Sequence, residues 1–276
     1  MAYTLGFSPC PNDTFIFDAM VNGLIDIGGL EFEPIMQDVE TLNQLSLEGR
    51  MDITKLSYAV LPQVQEHYIL LNSGSALGKG CGPLLIGKDK EYPTIEDQSV
   101  AIPGQHTTAH LLFTMAYPNA RKKIFIRYDQ IEEFVLQGKG LGVIIHENRF
   151  TYDAKGLHKI TDLGDYWEKE TGSAIPLGGI VMKRSIDKKI QLQVEQLIRQ
   201  SVRYAFAHHY QELSNFVKMN AQEMETSVMR QHIDLYVNDY TVDLGTTGQI
   251  AVKKLVEQYH LLHPETGFPT SLFLRS

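Results

Sequence analysis

The sequence is poor in cysteine and contains no long apolar run. Cys10 and Cys81 are its two cysteines, and neither lies in a Cys-x-x-Cys pair or in a cysteine–histidine array with zinc-site spacing. No stretch approaches the roughly 18 consecutive apolar residues that a membrane-spanning helix needs. We therefore expect two reduced thiols, and we expect no structural zinc site, disulfide framework or membrane span.

Basic residues are outnumbered by acidic ones. The chain has 25 Lys and Arg against 33 Asp and Glu, a formal net charge of −8, and the charges form no long run of one sign. This composition argues against a general surface for nucleic acid or membranes, although a local basic pocket for an acidic ligand stays open. The N-terminal residues lack the basic and apolar segments of a secretion signal, so we expect a cytoplasmic protein. Nothing in the sequence indicates the oligomeric state, and a homodimer remains an option.

Several motifs of common enzyme classes are also missing. The sequence has no Gly-x-Ser-x-Gly elbow, no P-loop and no dinucleotide fingerprint, and Gly78-Lys-Gly80 is too short to count as one. The glycine-rich segment 72–82 around it is either a flexible linker or the backbone-lined rim of a binding site. Any chemistry must therefore come from residues elsewhere, and the junctions between strands and helices are the first place to look.

Short apolar runs alternate with amphipathic segments, which predicts an α/β protein. Strands are expected over 3–7, 30–35, 53–57, 68–71, 83–87, 99–103, 124–128, 141–145 and 174–182, and the main helices over 39–47, 58–67, 109–117, 131–137, 186–210, 213–219, 226–236 and 247–262. The strands at 83–87 and 174–182 bracket a self-contained βα region. We therefore predict a larger discontinuous lobe, 1–88 plus 183–276, and a smaller lobe, 89–182, with small ligands held in a cleft between them.

The octapeptide Ser8-Pro-Cys-Pro-Asn-Asp-Thr-Phe15 joins the first strand to the first helix. Its two prolines fix the exit of the chain from the strand, and Asn12, Asp13 and Thr14 are candidate caps for the helix. A rigid loop that leads into a helix start can present backbone N–H groups to an anion, here from Ser8 and Asn12 onward. A plain connection without ligand is the alternative. We interpret the thiol of Cys10 as a packed side chain, because no second catalytic group is assigned to it.

Two further junctions carry side chains that suit an anion. Lys55 and Ser57 lie where a strand becomes a helix, so the lysine could pair with an anion and the serine could cap the helix or donate to a ligand. A solvated lysine beside a capping serine is the alternative. In the turn Gly104-Gln-His-Thr-Thr108, the glycine allows close approach, and Thr107 and Thr108 place hydroxyls at a helix start.

Histidines stand at two of these junctions. His106 and His110 have the i, i+4 spacing of metal ligands, but no acidic partner motif supports a metal there. His146 follows the apolar strand 141–145 directly, and ligands of open parallel sheets bind outside the carboxyl ends of the strands. Histidine is suited to take a proton near neutral pH, so His146 is a candidate general base, with a structural histidine as the alternative. Glu147 is expected to point away from it, at the surface or a hinge.

Four segments together resemble the 1,4-dihydroxy-6-naphthoate synthase family of the futalosine route to menaquinone. They are Ser8-Pro-Cys-Pro-Asn-Asp-Thr-Phe15, Lys55-Leu-Ser57, Gly104-x-His-Thr-Thr-Ala109 and Ile144-Ile-His-Glu147. The resemblance extends over essentially the whole chain, and the octapeptide is its most specific part. It implies a type II periplasmic-binding-protein-like fold used as a cytosolic enzyme, a lyase that converts cyclic dehypoxanthine futalosine to 1,4-dihydroxy-6-naphthoate and dihydroxyacetone without a cofactor or metal.

The resemblance also implies roles for individual residues. Lys55, Leu56, Ser57, Thr108 and Ala109 fall on substrate-contacting positions, and the substrate is a small molecule with a carboxylate. His146 falls on the position of the proton acceptor. Two alternatives stay open: a solute-binding protein of the same fold without catalysis, and chorismate dehydratase of the same pathway, which the octapeptide and His146 disfavour.

Overall fold

The protein forms two compact units, each with its own sheet. The computed structural model describes residues 2–222, 225–265, 267 and 271–275. The first unit takes Met1–Gly78 and Pro176–Ser276, and the second takes Lys79–Ile175. Strands and helices alternate in both, so the predicted α/β class is confirmed.

The sheet of the first unit is mixed. Its strands are β1 (Ala2–Phe7), β2 (Glu31–Met36), β3 (Ile53–Ser57), β4 (Tyr68–Leu70), β5 (Ala76–Gly78) and β11 (Ile175–Lys183). They follow the order β2-β1-β3-β11-β4, and β5 pairs with β11. Strands β1 and β3 are parallel neighbours, with Leu5 opposite Ile53. Because parallel strands end at the same edge, the loop after β1 and the end of β3 lie side by side.

Helices cover the first sheet. They are α1 (Pro11–Val21), α2 (Val39–Leu47), α3 (Leu61–Val64), α8 (Lys188–His208), α9 (Asn215–Asn220), α10 (Thr226–Tyr236), α11 (Asp239–Val242) and α12 (Gly245–Leu262). Helix α1 is buried from Pro11 to Met20, and Phe15, Ile16 and Phe17 belong to the main hydrophobic core. Among the described residues, no helix is long and apolar enough to cross a membrane.

The start of α1 differs from the prediction. The N-cap residue is Cys10, whose side chain makes no capping hydrogen bond, and proline occupies the first turn. Asn12, Asp13 and Thr14 therefore lie inside the helix, and their prediction as caps was wrong. Proline supplies the helix start by itself, because its ring presets φ and its missing N–H would have no acceptor there. The side chains of Asn12 and Asp13 are thus available for other partners.

The second unit has a five-stranded sheet in the order β10-β6-β9-β7-β8. Its elements are β6 (Leu84–Gly87), β7 (Val100–Ile102), α4 (Thr108–Ala116), β8 (Lys123–Phe125), α5 (Ile131–Leu136), β9 (Leu141–Ile144), α6 (Asn148–Thr151), β10 (His158–Asp162) and α7 (Leu163–Thr171). Strands β7 and β9 are parallel neighbours, with Val100 opposite Leu141. The segments that follow them, 103–107 and 145–147, therefore leave the sheet at one edge.

The unit boundaries lie earlier than the predicted ones at 88 and 182. Strand β6 pairs with β9 and β10, so it belongs to the second unit from its first residue. Strand β11 pairs with β3 and β4, so it belongs to the first unit almost from its start. Because each strand belongs to the sheet with which it pairs, one boundary lies in the loop before β6, after Gly78, and the other lies one residue into β11, after Ile175.

Candidate functional site

A cluster of buried polar groups occupies the edge of the first sheet where β1 and β3 end. Its centre is the carboxylate of Asp13, which accepts hydrogen bonds from the Ser8 amide (3.1 Å) and hydroxyl (2.7 Å), from Asn12 Nδ2 (2.9 Å) and from Lys55 Nζ (2.8 Å). Lys55 Nζ also donates to the carbonyl of Gly74 at 3.1 Å. We call Ser8, Asn12, Asp13, Lys55 and Gly74 the Asp13 cluster. The Asp13 cluster thus joins the octapeptide, the end of β3 and the glycine-rich segment.

The ion pair inside the Asp13 cluster changes what Lys55 can offer to a ligand. Lys55 and Asp13 are 5% and 2% exposed, so both charges are buried and each neutralises the other. The solvated-lysine alternative is therefore wrong. An ammonium group has three N–H bonds, and Asp13 and Gly74 accept two of them. Lys55 can accordingly give a ligand one directed hydrogen bond but little net positive charge.

Leu56 and Ser57 are held at the end of β3. Leu56 is fully buried and lies opposite Gly179 of β11. The amide of Ser57 donates to Asn43 Oδ1 at 2.8 Å, and Asn43 Nδ2 donates to the Ser57 hydroxyl oxygen at 3.1 Å. Ser57 precedes a short 3₁₀ turn without capping it. Because Asn43 donates to the oxygen, the Ser57 hydroxyl keeps its own proton to donate.

Asn12 connects the Asp13 cluster to helix α10. His232 Nε2 lies 2.9 Å from Asn12 Oδ1, and His232 is fully buried. The side-chain amide of Asn12 thus bridges His232 and Asp13. The amides of Asp13 and Thr14 both donate to the Cys10 carbonyl. Those two amides serve the helix, which differs from the expectation that they face an anion.

The glycine-rich segment is ordered over its first part. Residues 73–78 are buried, and the Gly74 amide donates to the Thr241 carbonyl at 2.7 Å. The Tyr58 hydroxyl lies 2.6 Å from Ser75 Oγ, and burial raises the pKa of Tyr58 well above its usual value. These contacts exclude a flexible linker for this stretch. They hold the Gly74 carbonyl where Lys55 reaches it.

The turn before α4 lies at the edge of the second sheet where β7 ends. Thr107 is the N-cap of α4: its hydroxyl accepts from the His110 amide at 3.2 Å and donates to the Gly104 carbonyl at 3.0 Å. Thr108 and Ala109 are the first residues of the helix, and both are 3% exposed. The N-terminus of a helix carries partial positive charge, which attracts anions and carbonyl oxygens. The turn therefore has the geometry expected for binding an anion or a carbonyl oxygen.

His146 follows β9 at the same sheet edge. Its φ is +58°, and it is the one non-glycine residue with positive φ among those the structure describes. Its ring meets the buried ring of Tyr128 edge to face, with centroids 5.1 Å apart. Positive φ is uncommon outside glycine, and such strain gathers at functional sites. Tyr128 was not among the predicted site residues.

The conformation of His146 also corrects the expectation for Glu147. The expectation requires a strand that continues to Glu147, whereas β9 ends three residues earlier, at Ile144. The chain then turns at His146, and Glu147 is 1% exposed rather than at the surface. A buried carboxylate, that of Glu147, therefore comes directly after the candidate base in the sequence.

The remaining candidate side chains have structural partners. His110 Nδ1 lies 2.7 Å from the Gln105 carbonyl oxygen, and Nε2 lies 3.2 Å from Lys123 Nζ. Both ring nitrogens thus have protein partners, which argues against a metal shared with His106. Cys10 and Cys81 are buried and not disulfide-bonded. Burial raises the pKa of the Cys81 thiol to about 12, so it stays protonated at neutral pH and is not a nucleophile.

Known proteins resemble this chain over nearly its full length. The family model described as menaquinone biosynthesis matches residues 3–260. A 1,4-dihydroxy-6-naphthoate synthase of Thermus thermophilus is 42% identical, over 99% of both chains. Another from Streptomyces coelicolor is 39% identical, over 91% of this chain and 90% of the relative.

Solved structures share the fold. A protein from Archaeoglobus fulgidus superimposes with a TM-score of 0.88 at 26% identity, covering 95% of this chain and 98% of that one. A Candida albicans protein described as having the generic periplasmic binding protein fold gives a TM-score of 0.65 at 10% identity, covering 100% and 99%. The predicted periplasmic-binding-protein-like fold is thereby confirmed. The family match and the two curated relatives place this chain in the menaquinone-biosynthesis family that includes the 1,4-dihydroxy-6-naphthoate synthases.

Proposed function

We propose that this chain is a carbon–carbon lyase that converts cyclic dehypoxanthine futalosine to 1,4-dihydroxy-6-naphthoate and dihydroxyacetone. Two relatives at 42% and 39% identity carry the name of this synthase, which supports the proposal. Each segment of the resemblance lies at a sheet edge where parallel strands end. We expect the reaction to take place in the cytoplasm.

The binding roles follow from the donors that each unit presents. In the first unit, Lys55 has one N–H bond to offer and Ser57 a hydroxyl proton, because the neighbouring contacts use the rest. In the second unit, the amides of Thr108 and Ala109 at the start of α4 suit the substrate carboxylate, since a helix N-terminus attracts negative charge. Ser8 and Thr107 support these contacts from the loops before α1 and α4, and Asn12 supports them from the first turn of α1.

His146 is the proposed proton acceptor. The observation that carries this role is its strained backbone at the edge of the second sheet, beside the turn that holds Thr107 and Thr108. In the proposed reaction, the neutral imidazole removes a proton from the substrate, and the bond to the sugar-derived carbons then breaks. Formation of the aromatic ring of the naphthol provides the driving force for the later steps. General-base action of this kind is typically worth about 10²–10⁴-fold in rate.

The experiment is turnover of the purified protein and of a His146→Asn variant. Asparagine tolerates positive φ and keeps a polar side chain, so the variant should fold, but it does not accept a proton at neutral pH. We expect 1,4-dihydroxy-6-naphthoate from the wild type and a fall in kcat of about 10²–10⁴-fold in the variant. Substrate binding, measured by calorimetry, should persist.

His158→Ala is the matched control, because His158 lies on edge strand β10 of the same sheet. It should turn over substrate like the wild type. Near-normal turnover by His146→Asn would exclude the base assignment. Absence of product from the wild type, or dehydration of chorismate supplied in parallel, would overturn the proposed reaction itself.

A further inference from the structure

The carboxylate of Asp13 accepts more hydrogen bonds than a helix-capping residue would. Four donors converge on its two oxygens, at distances from 2.7 to 3.1 Å. They come from the loop after β1, from α1 and from β3, while Asp13 itself is 2% exposed. A carboxylate can accept about four hydrogen bonds, so this one is saturated by the protein. Asp13 therefore has no capacity left to contact a substrate directly.

Because Asp13 accepts these hydrogen bonds, each of its neighbours keeps a defined donor or acceptor role. The Ser8 hydroxyl donates its proton to Asp13, which leaves the oxygen of Ser8 as an acceptor. Lys55 donates to Asp13 and to the Gly74 carbonyl, which leaves one N–H bond as a donor in a fixed direction. Hydrogen bonds between charged partners are shorter and stronger than neutral ones, so the ammonium group has one well-defined position.

We propose that Asp13 is the positioning residue of the active site, which holds Lys55 as a directed donor and Ser8 as an acceptor for the substrate. The proposal rests on the function proposed above for Lys55 as a substrate contact. It assigns no contact with substrate to Asp13 itself. Loss of the carboxylate should let the Lys55 ammonium group move, and misplacement of a binding group by about 1 Å can cost on the order of 10²-fold.

The first test is a double-mutant cycle on kcat/KM with Asp13→Asn, Lys55→Met and the double variant. We expect Asp13→Asn to lower kcat/KM by about 10–100-fold, mostly through a higher KM, because Lys55 binds the substrate and does not react. In the Lys55→Met background, Asp13→Asn should lower kcat/KM by less than about threefold, because the ammonium group that Asp13 positions is already absent. Losses that multiply would mean that Asp13 acts independently of Lys55 and would overturn the proposal.

Asp18→Asn is the matched control for burial of a carboxylate. Asp18 lies on the same helix and is also 2% exposed, but it accepts a hydrogen bond from Asn22 Nδ2 at 2.7 Å and lies 3.1 Å from His209 Nδ1, outside the Asp13 cluster. It should lower thermal stability while leaving kcat and KM within about twofold. An equal loss of kcat/KM in Asp18→Asn would mean that the effect of Asp13→Asn comes from general destabilisation, and it would overturn the proposal.

The second test needs no substrate and so separates this proposal from the proposed reaction. In protein labelled with ¹⁵N-lysine, an ammonium group held by Asp13 and Gly74 should exchange slowly with water and give a proton–nitrogen cross-peak, assigned by its loss in Lys55→Met. We expect the peak to disappear in Asp13→Asn and to persist in Asp18→Asn. Persistence in Asp13→Asn would overturn the proposal, even where the wild type turns over substrate.

Removal of one partner from a buried ion pair strongly destabilises a protein. If Asp13→Asn does not fold, a milder change takes its place. Asp13→Glu keeps the charge and moves the carboxylate by one methylene group. The same rise in KM and a shifted Lys55 cross-peak are expected, and an unchanged KM with an unchanged cross-peak would overturn the proposal.

Discussion

At the scale of single residues, the contact between Tyr128 and His146 gives a specific expectation. Tyr128 is 5% exposed and its ring meets the imidazole edge to face. Aromatic pairs of this kind contribute about 0.5–1.5 kcal/mol, which corresponds to about 2–10-fold. If the ring orients the proposed base, Tyr128→Leu should lower kcat by that factor with little change in KM, and Tyr128→Phe should cost less.

Tyr117→Leu is the control for this prediction. Tyr117 lies in the same unit and also packs against an aromatic ring, but its ring partner is Phe113, at 5.3 Å between centroids. Steady-state kinetics of the three variants are the measurement, with thermal melting to compare their stability. An equal fall in kcat for Tyr117→Leu, or none for Tyr128→Leu, would contradict an orienting role for Tyr128.

Sequence reasoning found the residues that stand at strand ends and missed those that hold them. His146 stands at the end of one apolar strand and Thr107 lies in the turn after another, and those positions are visible in a single sequence. The sequence predicts Asp13 only as a helix cap, because Asp near the start of an apolar-periodic segment is typical of capping. Its partner Lys55 is distant in the chain, and Tyr128 is distant from His146. Pairing across such separations depends on the tertiary structure, which local patterns do not encode.

At the scale of elements, the contact between Gly82, just before β6, and Gly164, at the start of α7, should tolerate no added side-chain atom. A Cβ on Gly82 would lie 2.3 Å from the Cα and the amide nitrogen of Gly164. Both are backbone atoms, so relief requires one element to move. Overpacking typically costs about 1–3 kcal/mol. We expect Gly82→Ala to lower the free energy of unfolding by the upper end of that range or more, measured by urea denaturation.

Gly156→Ala is the control for this prediction. Gly156 lies in the same unit with φ of +76°, and a Cβ there would meet no atom within 4 Å. Its cost should be the roughly 1 kcal/mol of a left-handed backbone. A smaller loss for Gly82→Ala than for Gly156→Ala would show that β6 and α7 can separate freely.

Periodic elements were predicted well, and partly exposed ones were not. The predicted helices at Val39–Leu47 and Thr226–Tyr236 and the strand at Ile53–Ser57 have the observed bounds. The sequence predicts no element between His146 and residue 174, whereas the structure has α6, β10 and α7 there. Strand β10 is an edge strand of intermediate burial, so its sequence alternates weakly. The signal for α7 was present in its caps, Asp162 before it and Gly172 after it.

At the scale of the whole molecule, the order of strands explains why a discontinuous unit could be predicted but its boundaries could not. Two apolar runs separated by a complete βα region indicate that the chain leaves one unit and returns. Which unit owns each run depends on its hydrogen-bonding partners: β6 pairs with β9 and β10, whereas β11 pairs with β3 and β4. Those pairings join distant segments, so composition at the crossings carries no information about them.

The second unit should fold without the first. Residues 79–175 form one continuous segment that contains all five strands of its sheet and a hydrophobic core cluster of its own. The segment has the length of an ordinary domain, about 50–250 residues.

The single tryptophan of the chain, Trp167, lies in this unit, fully buried, and its Nε1 donates to the Ala174 carbonyl at 3.1 Å. We expect an isolated 79–175 fragment to show the blue-shifted fluorescence of a buried indole and a cooperative urea transition. The same fragment carrying Gly82→Ala should unfold at lower urea, which ties the signal to the native packing of β6 against α7. Emission typical of exposed tryptophan, with a gradual transition, would show that the second unit depends on the first for its stability.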